Sequence, residues 1–424
     1  MHERVSNLSL TTLHPHCHSL EQGRRPPAFC MIGRASLAFG MRRISRSAAA
    51  AIALALAWGI ALAAAASVYA EIAAETRARI DEVASAPVAH GQTPAIMVGV
   101  ISGGDRMIRG FGETALGSGT RPTTTTEWEI GSVTKTFTAT LLALYVRRGV
   151  VHYADPLQRY VPAGVIVPRY GNRQITLLDL ATHTSGLPKD PDLSGVRHLD
   201  TDAMYQRLGA YRLTRPPGES FEYSNWGFAL LAHALERAAG DDYQSLVERE
   251  ICAPLGMIDT RIDLTPAEIA RQAQGYSPEG IARPHDNVTW PAFNGAGALR
   301  STMEDLMRYL AFNLGQTKTS LGTLLPDLHK RWHRGGRADA WVGLAWQMAP
   351  MRGTARTIIW KNGAASGFFS YLGFVRETGT GVIVLANRKI AARRIGLRIL
   401  RILNGAAITI EEPPGDMEDD ESRR

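Results

Sequence analysis

Apolar positions along this chain change period twice. Ala95–Ser102 and Arg106–Gly112 are β-rich runs, and Gly103-Gly104-Asp105 between them is a turn signal, so the pattern predicts a hairpin. Glu71 to Val88 reads as a helix ahead of it, with Ile72, Ile80 and Val83 on one side. From Ser132 to about Arg334 strand signals are scarce. Helical segments alternate with loops: Thr134–Arg148, Thr176–His183, Thr201–Leu208, Asn225–Ala239, Tyr243–Cys252, Pro266–Gln274 and Met303–Leu314. Ser301 and Glu304 are spaced as a capping box for the last of these. Strand patterns then return in Trp341–Met348, Thr357–Trp360, Phe368–Val375 and Gly381–Ala386. A helix over Ala391–Leu403 closes the series, with Arg394, Arg398 and Arg401 predicted as a solvated stripe. Strands at both ends with helices between them predict an α+β fold. Residues 71–131 and 335–405 would form an antiparallel sheet flanked by helices, and 132–334 an inserted, mainly helical domain. The groove between the two is the natural place for a site.

The ends of the chain read differently. Met41 opens a basic stretch, MRRISRS; an uncharged, alanine-rich run from Ala48 to Ala66 follows, and Val68-Tyr69-Ala70 offers a cleavage site. This layout predicts a leader over 1–70 and an exported protein. The apolar run is long for a signal peptide, so an uncleaved anchor with membrane association through 48–66 stays open. The leader holds seven arginines against two acids, so +5 of the net charge of +7 sits there. The high isoelectric point therefore does not argue for a nucleic-acid partner. Cys252 is the one cysteine beyond the leader, so no disulfide framework is available. The segment 406–424 carries seven acids and two prolines from Glu411 onward and is predicted to be a disordered tail.

Candidate chemistry begins in Glu129–Thr140, EIGSVTKTFTAT. Residues three apart share a helix face, so Ser132 and Lys135 can meet there. The competing reading is a solvated lysine at a helix start. Lysine is scarce, however: six of the 47 basic residues are lysine and the rest arginine. Arginine keeps its proton, whereas a desolvated lysine can release it. Tyr223-Ser224-Asn225 follows a turn forced by Pro216-Pro217-Gly218, at the mouth of the helix from Asn225. Lys361-Asn362-Gly363 stands at the end of the strand Thr357–Trp360, where glycine permits close approach of a backbone. An open edge there could add an extended peptide as a strand. Taken singly, Tyr223 reads as a half-buried structural tyrosine and Lys361 as an exposed hairpin lysine. His183, in Thr182-His183-Thr184-Ser185-Gly186, has no partner at metal-ligand spacing and reads as structural.

In order, these three motifs resemble the S-x-x-K, Y-x-N and K-[ST]-G signature of the penicillin-recognising serine hydrolases. The segments 178–188 (LDLATHTSGLP) and 294–302 (NGAGALRST) resemble the same family. The resemblance spans roughly Ala95 to Ala386 and is closest to the class C β-lactamase branch, in particular to exported penicillin-binding D-alanyl-D-alanine carboxypeptidase/endopeptidases. It implies an acyl-enzyme on Ser132. Lys135 and Tyr223 would share the proton shuttle, with its direction left open. Their ordinary pKa values of about 10.4 and about 10 would have to be adjusted by burial and by Lys361. The N–H groups of Ser132 and Ala364 would form the oxyanion hole. Asn225 would hold the substrate amide, and Lys361, Asn362 and Gly363 the carboxylate end. The resemblance calls for no cofactor and no metal. It implies a periplasmic enzyme whose partners are peptidoglycan stem peptides or β-lactams. The family has Thr or Ser where this chain has Asn362. That departure leaves the substrate open among peptide, β-lactam and ester, and a slowly deacylating penicillin-binding sensor is a further reading. Oligomeric state is not legible.

Overall fold

The computed structural model describes residues 72–192, 200–283 and 291–407. The leader 1–70 with Ala48–Ala66, and the acidic tail from Glu411, lie outside the described residues. Among those described, no helix is long and apolar enough to cross a membrane.

The predicted hairpin is present as β1 (Ala95–Ser102) and β2 (Asp105–Gly112), preceded by α1 (Ala74–Ala89). Then come β3 (Glu127–Glu129), α2 (Thr134–Arg147), α3 (Leu177–Ala181), α4 (Thr201–Ala210), α5 (Asn225–Ala239) and α6 (Tyr243–Val247). β4 (Arg300–Thr302) leads into α7 (Met303–Asn313). Its cap falls one residue later than expected: the Thr302 side chain accepts from the N–H of Asp305. The return to strands gives β5 (His333–Arg334), β6 (Trp341–Val342), β7 (Gln347–Pro350), β8 (Thr357–Ala364), β9 (Phe369–Val375) and β10 (Thr380–Ala386), then α8 (Ala392–Leu403).

Eight strands make one sheet in the order β2-β1-β10-β9-β8-β7-β6-β5, every neighbouring pair antiparallel. The two terminal segments thus meet where β1 pairs with β10, Ile96 opposite Ala386. Alternation divides the side chains between two cores. Ile96, Val98, Val100, Trp360, Tyr371 and Val384 pack with α1 and α8. Met97, Ile359, Leu372, Ile383 and Leu385 join the larger core beneath α2, α5 and α7.

Three further details differ from the sequence reading. Trp341–Met348 is two strands, because Ala345 adopts φ 67° and turns the chain. β8 continues through Lys361-Asn362-Gly363 to Ala364, because these polar residues pair with Leu372, Tyr371 and Ser370 of β9. Arg401 is buried rather than solvated: the chain beyond α8 folds over its last turn, and Nη1 donates to the carbonyl of Ala407 at 3.3 Å.

Candidate active site

Ser132 lies in the single 3-10 turn Gly131–Val133 that joins β3 to α2. This turn abuts β8 so tightly that a Cβ on Gly131 would stand 2.5–2.7 Å from the backbone of Ala364. Gly131 also has φ 49°, which favours glycine. The contact is reinforced where Ser370 Oγ donates to the carbonyl of Ile130 at 2.8 Å. The first and last motifs, distant in sequence, are therefore in van der Waals contact.

Tyr223 is brought in by a seam of hydrogen bonds. The N–H of Gly218 donates to the Thr184 carbonyl (2.7 Å) and that of Glu222 to the His183 carbonyl (2.7 Å). Ser224 caps α5 through Gly227 N–H at 2.8 Å, while its hydroxyl donates to the Pro188 carbonyl at 2.7 Å. The N–H groups of Asn225 and Trp226 both donate to the carbonyl of Lys189, at 2.7 and 3.1 Å.

At the centre, Ser132 Oγ lies 2.6 Å from the Tyr223 hydroxyl and 2.9 Å from Lys135 Nζ. Lys135 is fully buried. Its Nζ also donates to Asn225 Oδ1 at 2.8 Å and to the Ala296 carbonyl at 2.5 Å. Lys361 is fully buried too, with Nζ 4.5 Å from the centre of the Tyr223 ring. Each Nζ has an aromatic ring near it, and that of Lys135 lies 5.0 Å from the centre of the same ring.

His183 sits beneath this group. Its φ of 57° is left-handed, and its ring centre is 4.5 Å from that of Tyr223. Burial, then the charges of Lys361 and Lys135, hold its pKa well below the usual histidine range. It is therefore neutral. Because Nδ1 accepts from Ser224 N–H at 3.1 Å, the proton resides on Nε2.

The structure brings Ser132, Lys135, Tyr223, Asn225, Lys361, Gly363 and Ala364 together. Asn362 differs. Strand alternation puts it on the face of β8 shared with Trp360, opposite Tyr371 and away from Lys361. Its Oδ1 is buried and accepts no hydrogen bond among the described residues. β7 pairs with β8 only over Thr357–Trp360, so beyond Trp360 that edge of β8 has no β7 partner. Ala365 and Phe368 exchange backbone hydrogen bonds. By antiparallel alternation the N–H of Ala364 then points away from β9, toward the open edge. Sequence reasoning missed the Ala296 carbonyl, Gly131 and Asp190; Ala296 and Gly131 lay in stretches already singled out, and Asp190 did not.

Residues 80–406 match the family model described as Beta-lactamase. The chain belongs to the β-lactamase family. It is 34% identical over 308 residues to the D-alanyl-D-alanine-carboxypeptidase/endopeptidase AmpH of Escherichia coli K12, covering 68% of this chain and 78% of that protein. It is 25% identical over 358 residues to a β-lactamase of Pseudomonas fluorescens, covering 74% and 94%. Among solved structures, the β-lactamase/D-alanine carboxypeptidase of Yersinia pestis complexed with citrate is similar with a TM-score of 0.64 and 27% identity, over 77% of this chain and 95% of that one. Members of the β-lactamase family related to this chain are serine hydrolases, and so is this chain.

A second buried charged cluster lies on β3, just ahead of Ser132. Carboxylate oxygens of Glu127, Asp259 and Glu268 lie within 4.8 Å of one another. They already share a cation: Arg271 reaches Glu127 at 3.2 Å, Asp259 at 2.5 Å and Glu268 at 3.9 Å. Arg261 adds a contact to Glu268 at 3.2 Å. This is an ion-pair network rather than a set of ligands waiting for a metal. Burial pushes the Glu127 carboxyl up to about 8, against the opposing pull of Arg271.

Proposed function

We propose that this enzyme is an exported, periplasmic serine D,D-peptidase that cleaves the terminal D-alanyl bond of peptidoglycan stem peptides through an acyl-enzyme on Ser132, with β-lactams as alternative substrates. The observation that carries this reading is the set of partners on Lys135. Asn225 Oδ1 and the Ala296 carbonyl accept and cannot donate. A neutral amine has two N–H groups and one lone pair. With both N–H groups engaged by these acceptors, the lone pair faces Ser132 Oγ at 2.9 Å. Lys135 is then the base, and Tyr223, 2.6 Å from the same oxygen, relays the proton toward the leaving group.

As Ser132 Oγ bonds to the carbonyl carbon, its proton passes to Lys135. The resulting oxyanion is held by the N–H groups of Ser132 and Ala364; one such donor is worth about 3–4 kcal/mol. The C–N bond breaks, the leaving amine takes the proton by way of Tyr223, and water later hydrolyses the ester. Lys361 supplies the positive charge for the substrate carboxylate, and the open edge of β8 receives the peptide as an added strand. The division into 71–131 with 335–405 and an inserted 132–334 sets the cleft between them, and the leader 1–70 carries the chain out of the cytoplasm.

A second reading, an esterase or β-lactamase on the same scaffold, is favoured by Asn362, which stands where the family has a hydroxyl and does not share the face of Lys361. Fluorescent penicillin with intact mass over time, on the full chain and on Ser132→Ala, separates the two alongside D-alanine release from a stem pentapeptide. Label that requires Ser132, together with release of D-alanine, is the expected result. Label that decays without D-alanine release supports the lactamase. No label and no release, with ester hydrolysis retained, overturns the peptidase reading.

A further inference from the structure

We infer that Asp190 is a positioning residue that fixes the direction of the Lys135 lone pair by orienting the Asn225 amide. This rests on the reading of Lys135 as the proton acceptor. Asn225 Nδ2 donates to Asp190 Oδ1 at 3.0 Å while Asn225 Oδ1 accepts from Lys135 at 2.8 Å. A carboxylate only accepts, so Asp190 holds the N–H₂ end of the amide and leaves its oxygen, an acceptor, toward Lys135. Were the amide reversed, Lys135 would face N–H₂. It would lose one of its two acceptors, and its lone pair would be drawn from Ser132 to the amide.

Asp190 is built into place. The adjoining carbonyls of Pro188 and Lys189 accept from the Ser224 hydroxyl and from the N–H groups of Asn225 and Trp226. Its carboxylate therefore sits by the N-terminus of α5, a helix of 15 residues. Among the described residues, the titratable groups around Lys135 include Tyr223, His183 and, across the Tyr223 ring, Lys361. Asp190, relayed through Asn225, is an acid on the far side of that amide.

The test uses the full chain, with Asp190→Ala and Asp190→Asn, and follows the acylation rate by fluorescent penicillin across pH. Asp190→Ala frees the amide to reverse and should slow acylation roughly 10- to 100-fold, the scale of a misplaced catalytic group. It also removes a negative charge that favours the Lys135 ammonium, so the acid limb of the profile should move to lower pH. Asp190→Asn keeps an acceptor for Asn225 and should recover most of the rate while showing the same shift. A ¹³Cε titration of Lys135, resolvable among six lysines, should report that shift without any substrate. Wild-type rate and profile in Asp190→Ala would overturn the inference. So would equal rate losses in both variants with the acid limb and the lysine titration unmoved, which would mean loop packing. If the wild type takes no label, the reading of the site fails, and the lysine titration still decides the role of Asp190.

Discussion

Two buried charged clusters flank the turn that carries Ser132, and they are built on opposite terms. Around Arg271 the cation is an arginine and its partners are carboxylates, Glu127, Asp259 and Glu268. Around Ser132 the cations are lysines, and the contacts of Lys135 are a hydroxyl, an amide and a backbone carbonyl. In the first cluster the guanidinium keeps its proton throughout, and any titration falls on a carboxylate, Glu127. A lysine among neutral acceptors is held in place without being locked in its charged form. A permanent cation thus sits against β3, while the proposed proton transfer next to it calls on a cation that can release its proton.

Exchanging the two kinds of cation sharpens this contrast most. Lys135→Arg should lower the acylation rate by about 10²–10⁴, the range of a lost general base, with little change in Tm. If the loss is small, Lys135 is not the base and the contrast collapses. Arg271→Met should do the reverse. It takes the cation from Glu127 and Asp259, while Glu268 keeps Arg261, and should cost about 2–3 kcal/mol after allowing for the partial exposure of Arg271, with acylation per folded molecule unchanged. Denaturant unfolding and a burst-normalised rate check both halves. Lys361→Arg keeps the charge and should cost only about tenfold in kcat/KM, since recognition and not proton transfer is at stake. A loss equal to that of Lys135→Arg would show that both lysines exchange protons.

The smallest effect is a dependence on pH. Glu127 holds its proton in the folded state up to about 8, against an ordinary value of 4.5. Between these values the folded state binds more protons, so stability falls as pH rises, by at most about 1.4 kcal/mol per pH unit from this group. The contribution is fully present below pH 4.5 and gone above 8. The Tm of Glu127→Gln minus that of the wild type should therefore grow with pH across this window. A flat difference would show that Arg271 keeps Glu127 ionised.

What the sequence disclosed follows from how local each requirement is. Ser132 and Lys135 sit one helical turn apart, so their spacing is itself the signal. Tyr223 and Asn225 flank a helix start, and that is written in Pro216-Pro217-Gly218 and Ser224. The sheet was legible because its strands carry apolar runs at both ends of the chain. Asp190 was not, because its role appears only when the loop after Pro188 lies across α5. Nor was the Ala296 carbonyl, a backbone atom 161 residues from the lysine it accepts from. Lys361-Asn362-Gly363 reads as the end of a strand by composition, and pairing with β9 overrides that. Arg401 keeps the spacing of a solvated stripe, yet residues beyond the helix cover it.

The open edge of β8 has an implication for how this enzyme could change over generations. Recognition through main-chain N–H groups is indifferent to side-chain identity, so ordinary substitutions along Lys361–Ala364 cannot delete the donor at Ala364. Among single substitutions at that residue, only Ala364→Pro removes it outright. Under the proposed strand addition, selectivity can drift in the side chains that flank this edge while the main-chain donor at Ala364 stays in place; Gly363 is the exception, because a Cβ there would stand 2.0 Å from the Ile130 carbonyl. A strand-shaped inhibitor that relies on that grip would leave the enzyme few routes of escape.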